Sequence, residues 1–239
     1  MERVKFRVFR FDPESDEAPY YVEYDVPYRP GMTVLDGLLY ILEELDGSLA
    51  FRYSCRSKIC GSCAMTINGR ERLACETQVK ELGRLIRVEP LPNLPVIRDL
   101  VVDIDPFLRK MEAVMPYLVP REEGASEIRV SPEEFRRYRS PSDCIWCAAC
   151  YAACPAAFSN PYFLGPAALT QLYRFYVDSR EDESVKPIRL VIADDDSAGV
   201  WRCHQAYACA EVCPKHIRPG DLIAELKRAI FKARLSGRI

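Results

Sequence analysis

Residues 144–155 of the chain read Cys144-Ile-Trp-Cys-Ala-Ala-Cys-Tyr-Ala-Ala-Cys-Pro155, a run in which four cysteines at short, regular spacing precede a proline. A second run, Cys203-His-Gln-Ala-Tyr-Ala-Cys-Ala-Glu-Val-Cys-Pro214, repeats the spacing, except that Ala206 stands in place of the second cysteine. Thiols so close in sequence share one loop, which is typical of metal ligands. The pattern therefore predicts a metal-binding segment that occurs twice in the chain.

The spacing is that of bacterial two-cluster ferredoxins, in which the fourth cysteine of a run ligates the other cluster. This crossover gives one cluster four ligands and predicts [4Fe–4S]: Cys144, Cys147, Cys150 and Cys213. It gives the other cluster only three: Cys154, Cys203 and Cys209. Because Ala206 offers no ligand, and a cubane that lacks one protein ligand readily loses that iron, we expect [3Fe–4S] at the second site.

A separate cysteine group lies earlier in the chain, as Cys55-x4-Cys60-x2-Cys63 followed by Cys75. This is the plant-type [2Fe–2S] spacing, whose loop can curl so that backbone N–H groups point at the cluster sulfurs. The alternative is a structural zinc ion on the same four thiolates. Zinc sites usually have two Cys-x2-Cys pairs and this group has one, which favours iron–sulfur. The three predicted sites together use all eleven cysteines.

Composition excludes several classes of protein. The 33 basic and 35 acidic residues give a net charge of −2, without the basic excess of a nucleic-acid-binding protein. Eleven cysteines are an odd number and do not suit a disulfide scaffold. The uncharged stretch 144–173 is interrupted by Pro155, Pro161 and Pro166, so we expect no transmembrane helix. The N-terminal residues offer no apolar signal region.

The remaining sequence predicts strands first and helices later. Alternating apolar residues predict strands at 4–11, 20–26 and 84–88, and Asn68-Gly69 predicts the turn of a hairpin over 64–75. Between them, Thr33 is a candidate N-cap for a helix over 34–45. Later helices are predicted from Pro132 behind an N-cap at Ser131, and over 166–177 and 221–235. We therefore expect an α+β domain over 1–104 and a helical domain over 105–239.

Several motifs resemble the iron–sulfur subunits of succinate dehydrogenases and fumarate reductases. The resemblance is sharpest in five places: Ser54–Met65, Cys144–Pro155, Gly165–Ala168, Asp178–Arg180 and Cys203–Lys215. It implies a β-grasp domain of the plant-ferredoxin type carrying [2Fe–2S]. It also implies an all-α domain of the bacterial-ferredoxin type carrying [4Fe–4S] and [3Fe–4S].

The resemblance implies partners as well. A flavoprotein subunit would hold FAD and the dicarboxylate site, and membrane-anchor subunits, with or without haem, would complete a quinone site beside [3Fe–4S]. The chain would be a peripheral membrane protein on the cytoplasmic face of a prokaryotic inner membrane. The quinone would lie near Pro155, Ser159 and His204.

The sequence departs from the family pattern at two positions. Lys58 stands where family members often have glycine, and Ser159 stands where many have a tryptophan beside the quinone. His204 has a second interpretation, as a residue that only caps the cluster loop. A stand-alone soluble ferredoxin-type carrier and a zinc-stabilised structural module are the competing functions. The chain has no Gly-x-Gly-x-x-Gly dinucleotide motif, so its predicted role is electron relay without a catalytic residue of its own.

Overall fold

The computed structural model describes residues 2–121 and 127–239, which form two compact units. The first unit comprises the chain up to Ile104 together with Ile145–Ala153. The second comprises Asp105–Cys144 and Cys154–Ile239. The sequence did not predict that a piece of the first cysteine run belongs with the N-terminal part. The assignment of 1–104 and 105–239 to separate cluster domains stays a prediction.

Strands are found in the first unit, and most of the helices in the second. The strands are β1 (Arg3–Arg10), β2 (Tyr20–Pro27), β3 (Ala64–Ile67), β4 (Arg70–Leu73), β5 (Leu85–Glu89), β6 (Val96–Arg98) and β7 (Val101–Val102). The helices are α1 (Val34–Tyr40), α2 (Asp105–Glu112), α3 (Pro132–Ser142), α4 (Ala149–Ala152), α5 (Pro155–Ser159), α6 (Gly165–Tyr176), α7 (Val185–Ala193), α8 (Ala208–Glu211) and α9 (Pro219–Leu235). This mixed sheet followed by helices confirms the coarse α+β prediction.

The main sheet of the first unit has the strand order β2-β1-β5-β3-β4. Strand β1 pairs antiparallel with β2, with Phe6 opposite Tyr24, and parallel with β5. Alternation in β1 places Val4, Phe6 and Val8 in the core, as expected for a strand with one buried face. The predicted strands and hairpin are confirmed. Strands β6 and β7 form a separate antiparallel ribbon that the sequence did not predict.

Helix α1 begins at a reciprocal capping box, in which the Thr33 hydroxyl accepts from the Asp36 N–H and the Asp36 carboxylate accepts from the Thr33 N–H. The sequence predicts one helix over 34–45. In the structure α1 ends at Tyr40, and Ile41–Leu45 continues as a π-helical turn. The Asp46 carboxylate then accepts hydrogen bonds from Arg10 and from Tyr24, which tie the end of this turn to the sheet.

The core of the second unit is built around α6, in which every residue from Gly165 to Tyr173 is buried. Helices α2, α3, α7 and α9 all pack against it. Helix α3 begins as predicted, at Pro132 behind an N-cap at Ser131. Among the described residues, no helix combines the length and the apolar character needed to cross a membrane.

A fully buried ion pair supports this core. The Arg189 guanidinium donates to the Glu181 carboxylate at 2.7 Å, and both side chains are 0% exposed. The same guanidinium donates to the carbonyl oxygens of Met115, at 2.8 Å, and Tyr117, at 2.7 Å. Because removing one partner strands a buried charge, breaking such a pair costs about 3–5 kcal/mol. Arg189 therefore holds the chain that follows α2 against α7.

Candidate metal centres

The loop from Cys55 to Cys63 turns its backbone N–H groups towards a cysteine sulfur. The N–H groups of Ser57, Ile59 and Cys60 donate to Cys55 Sγ at 3.4, 3.4 and 3.3 Å. The N–H of Cys55 in turn donates to Cys60 Sγ at 3.5 Å. Successive N–H groups that converge in this way form an anion-binding concavity of the kind found at many Fe–S sites. The loop thus fits a negatively charged sulfur cluster.

Left-handed residues produce this curvature. Arg56, Lys58 and Gly61 have φ angles of 54°, 58° and 73°. A left-handed backbone costs a residue with a side chain about 1–2 kcal/mol, which accounts for glycine at the position of Lys58 in the family pattern. Here the Lys58 ammonium forms an ion pair with Glu76, next to Cys75, and this pair holds the lysine in place.

The hairpin β3–β4 brings Cys75 to the loop. Its turn residues Asn68 and Gly69 both have positive φ, 50° and 75°, as a type I′ turn requires. The Ala74 N–H donates to the carbonyl oxygen of Cys63 at 3.0 Å, so the two ends of the hairpin meet beside the loop. The fourth predicted [2Fe–2S] ligand is therefore placed by strand pairing.

The pKa values of two thiols in this group, Cys60 and Cys63, are shifted in opposite directions. A hydrogen bond from the Ser62 hydroxyl, with help from the Cys55 N–H, lowers the pKa of Cys60 to about 6. Burial raises the pKa of Cys63 to about 12, and the nearby Cys75 and Cys60 thiolates add to that rise. The metal ligand is the thiolate, so binding to an iron ion would favour the deprotonated form of Cys63 against the effect of burial. The hydrogen bonds between Cys55 and Cys60, and the effects of Cys60 and Cys75 on the pKa of Cys63, show that the four thiols lie close together.

A second group of thiols lines a cavity of the second unit. Cys154, Cys203 and Cys209 lie in its wall, and so does Ala206. Burial raises the pKa of Cys209 to about 11, and the Cys154 and Cys203 thiolates contribute to the rise. The three predicted [3Fe–4S] ligands therefore share one site, and a methyl group stands where a fourth thiol would be.

Backbone N–H groups also donate hydrogen bonds to the cysteine sulfurs of this cavity. The N–H groups of Ala156 and Ala157, in the first turn of α5, hydrogen-bond to the Cys154 sulfur and oppose the rise that burial causes in its pKa. The N–H of Gly220, in the first turn of α9, does the same for Cys209. The donor set, three thiols with N–H groups aimed at them, fits a sulfur-rich anionic cluster.

The predicted [4Fe–4S] ligands are divided between the units. Cys147 and Cys150 belong to the first unit, and Cys144 and Cys213 belong to the second. Their grouping around one cluster stays a prediction. Among residues 2–121 and 127–239, no three His, Cys, Asp or Glu side chains are placed to hold a single metal ion. In a cubane each cysteine binds a different iron, and in [2Fe–2S] only two cysteines share each iron, so cluster ligands need not all converge on one point.

Of the three residues predicted near a quinone, two lie in the wall of the three-thiol cavity and one does not. Pro155 and His204 line the cavity of Cys154, Cys203 and Cys209, whereas Ser159 does not. The Ser159 hydroxyl donates to the carbonyl oxygen of Ala156 at 3.3 Å. On the same segment Phe158 is 80% exposed and Tyr162 is 75% exposed, a feature that the sequence analysis missed.

Two further residues, Lys227 and Tyr207, position the second cysteine run through contacts with no signal in the sequence. The Lys227 ammonium donates to the carbonyl oxygen of Cys203 at 2.8 Å and so fastens α9 to the second cysteine run. The Tyr207 hydroxyl donates to Asp221, in the first turn of the same helix, at 2.9 Å and attaches the run to α9 at a second point. Lys227 is one of several basic residues near the C-terminus, and no sequence signal separates it from the others.

Comparison with known proteins gives two domain families and close relatives. Residues 5–109 match a 2Fe-2S iron-sulfur cluster binding domain, and residues 140–217 match a 4Fe-4S dicluster domain. The fumarate reductase iron-sulfur subunit of Haemophilus influenzae is 41% identical, over 92% of this chain and 90% of that protein. The subunit of the same name from Mycobacterium tuberculosis is 45% identical, over 95% of this chain and 92% of that protein. A chain of the solved "Mycobacterium smegmatis Sdh1 complex in the apo form" superposes with a TM-score of 0.87 at 28% identity, covering 98% of this chain and 97% of that one.

Proposed function

We propose that this chain, which belongs to the family of iron–sulfur subunits of fumarate reductases and succinate dehydrogenases, relays electrons between the FAD of a flavoprotein subunit and a membrane quinone. Family membership confirms the resemblance found in the sequence and makes the chain an electron-transfer subunit of an oxidoreductase complex. Iron–sulfur clusters supply one-electron chemistry, and the residues of this chain hold, space and shield them.

The observation that carries the proposal is the cavity of the second unit. Three cysteines from distant parts of the sequence line it, together with Ala206 in the place of a fourth. A single zinc ion needs ligands that converge on one point, and no three His, Cys, Asp or Glu side chains of the described residues do so, whereas three separate thiols suit a three-iron cluster. The cavity supports a redox centre in preference to the zinc-stabilised module.

We assign the ligands as the sequence predicts. The [2Fe–2S] cluster takes Cys55, Cys60, Cys63 and Cys75, in a β-grasp domain of the plant-ferredoxin type over residues 1–104. The other two clusters belong to an all-α domain of the bacterial-ferredoxin type over 105–239. In it [4Fe–4S] takes Cys144, Cys147, Cys150 and Cys213, and [3Fe–4S] takes Cys154, Cys203 and Cys209.

We place the exchange of electrons with quinone beside the three-thiol cavity. His204 is exposed next to the ligand Cys203, and an imidazole N–H can hydrogen-bond a quinone oxygen and relay a proton to it while the other ring nitrogen takes one from solvent. Each quinone that becomes quinol takes two electrons and two protons, so a proton donor is needed there. The exposed rings of Phe158 and Tyr162 suit contact with a membrane-anchor subunit. The complex would sit on the cytoplasmic face of the inner membrane, with FAD, and haem where present, on its partners.

The test compares the two histidines of the chain in the assembled complex. His204→Ala should depress succinate–quinone turnover while sparing succinate oxidation by an artificial dye that accepts electrons upstream. His216, also exposed and just past Cys213, provides the matched variant His216→Ala, which should leave both activities unchanged.

Other outcomes contradict the proposal. If His204→Ala leaves quinone turnover intact, the exit lies elsewhere, and His204 only caps the loop. Equal loss of both activities would mean damaged cluster assembly. A chain that purifies in mild detergent without flavoprotein and anchor subunits would favour the stand-alone soluble carrier.

A further inference from the structure

Gly61 lies between the predicted ligands Cys60 and Cys63 and faces another cysteine loop at very short range. It is buried and left-handed, with φ +73°. A Cβ added to Gly61 would lie 2.8 Å from Cys147 Cβ and 3.0 Å from both Cys147 Cα and the carbonyl oxygen of Ile145. Neighbouring atoms in close-packed protein cannot yield to such an approach without strain, and here they belong to backbone and Cβ positions that no rotamer change moves.

The loop that Gly61 faces is part of the same compact unit. It belongs to Ile145–Ala153, which carries the predicted [4Fe–4S] ligands Cys147 and Cys150. Ile145 and Cys147 pack, partly buried, against the hydrophobic core of that unit. The contact with Gly61 is therefore part of the packing of the first unit.

A side-chain hydrogen bond holds the C-terminal end of the segment Ile145–Ala153. The Asn93 side-chain amide donates to the carbonyl oxygen of Ala152 at 2.8 Å, and it lies 3.4 Å from that of Tyr151, at the C-terminal end of α4. An amide donor at the C-terminal end of a short helix hydrogen-bonds carbonyl groups there and so helps to fix that end of α4. Asn93 is itself left-handed, with φ 63°. Gly61 and Asn93 thus hold Ile145–Ala153 from both ends.

We propose that Gly61 is a positioning residue for electron transfer between the [2Fe–2S] and [4Fe–4S] centres: by lacking a Cβ, it lets the loop 55–63 come against Cys147. The inference rests on the ligand sets of the proposed function. One electron leaves the reduced [2Fe–2S] centre and enters the oxidised [4Fe–4S] centre, with no bond broken and no proton required. Electron tunnelling slows steeply with distance, so any added separation between the two loops slows this step.

The experiment compares Gly61→Ala with Gly83→Ala in the full complex. Gly83 has φ +82° and no atom within 4 Å of an added Cβ, so it reproduces the backbone strain without the collision. The readout is the microwave-power saturation of the [2Fe–2S] EPR signal in the dithionite-reduced complex, in which [4Fe–4S] is reduced and paramagnetic as well, because a nearby paramagnetic centre speeds the relaxation of [2Fe–2S]. Rapid-freeze kinetics of [4Fe–4S] reduction after succinate addition are measured in parallel.

Gly61→Ala should keep the iron content and both signals but lose part of the relaxation enhancement, and it should slow the transfer. Gly83→Ala should match the unmodified protein. Equal relaxation and equal rates in the two variants, with iron retained, would overturn the inference.

A second variant covers the case in which Gly61→Ala loses its clusters. Asn93→Gly permits the left-handed backbone and removes the side-chain amide that holds α4. It should reduce the same relaxation enhancement at full iron content, and an unchanged signal would count against the proposal. Absence of a [2Fe–2S] or [4Fe–4S] signal in the unmodified protein would be a failure of the proposed function, visible before any variant is made.

Discussion

The two cysteine runs, 144–155 and 203–214, have nearly the same backbone and differ in one ligand position. In each run, the second and fourth residues after the first cysteine are left-handed. They are Trp146 at φ 54° and Ala148 at φ 62° in the first run, and Gln205 at φ 56° and Tyr207 at φ 59° in the second. A four-residue helix follows each pair, α4 in one run and α8 in the other. The duplication seen in the sequence therefore extends to backbone conformation.

The difference lies at Cys147 and its counterpart Ala206. Cys147 packs against the core of the first unit and against Gly61. Ala206 lines the cavity of Cys154, Cys203 and Cys209 in the second unit. Because the surrounding backbone is the same, the side chain at this position is what we expect to set the number of irons held. On the proposed assignment, one backbone motif would thus serve two kinds of centre.

The largest expected effect comes from breaking the crossover. Cys154 lies in the first run but lines the cavity of the second, so Cys154→Ser should abolish the [3Fe–4S] signal and remove about three irons per chain while sparing [4Fe–4S]. Its matched variant Cys150→Ser should do the reverse. Iron analysis with EPR of anaerobically prepared protein checks both. Loss of [4Fe–4S] in Cys154→Ser would mean that each run serves its own cluster.

A smaller change should make the two runs equivalent. Ala206→Cys supplies the missing thiol and should convert [3Fe–4S] into [4Fe–4S], with about one more iron per chain. Four-iron clusters of this type usually have lower potentials, so electron delivery to quinone should slow. Ala206→Ser, which adds a weaker ligand of similar size, is the control. A three-iron signal of unchanged potential in Ala206→Cys would show that the absent ligand does not set the cluster type.

The smallest expected effect tests the shared backbone. Gln205→Gly should raise the melting temperature relative to Gln205→Ala, because only alanine keeps the left-handed strain of about 1 kcal/mol. For a chain of this size that amounts to a difference of about 2–4 °C. At the equivalent position of the first run, Trp146→Gly relative to Trp146→Ala should give a gain of the same sign. A gain in one run alone, measured by thermal unfolding under anaerobic conditions, would show that the two backbones are not equivalent.

Local signals predicted much of this molecule from sequence. Alternating apolar residues located β1, and the Ser131–Glu134 capping box located the start of α3, because each signal lies within a few residues of the structure it sets. Cysteine spacing likewise predicted which thiols would meet in the loop 55–63 and in the cavity of the second unit. Whether each group binds its predicted cluster stays a prediction.

Other features depend on contacts between residues far apart in sequence, and these could not be predicted. The segment Ile145–Ala153 joins the first unit through Gly61 and Asn93, and neither residue differs in sequence from an ordinary loop residue. Lys227 reaches the carbonyl oxygen of Cys203 from a helix whose other basic residues do not. The exposure of Phe158 depends on which neighbours cover it, which sequence pattern alone does not state.

The most direct test of the account is the iron and EPR analysis of the unmodified chain, purified anaerobically with its partners. We expect about nine irons per chain, the sum for [2Fe–2S], [4Fe–4S] and [3Fe–4S]. The oxidised protein should show a [3Fe–4S] signal equal to one spin per chain, and reduction should reveal the [2Fe–2S] signal. Zinc in place of iron, or two four-iron clusters with no [3Fe–4S] signal, would contradict the claim that Ala206 leaves the second run with a three-iron centre.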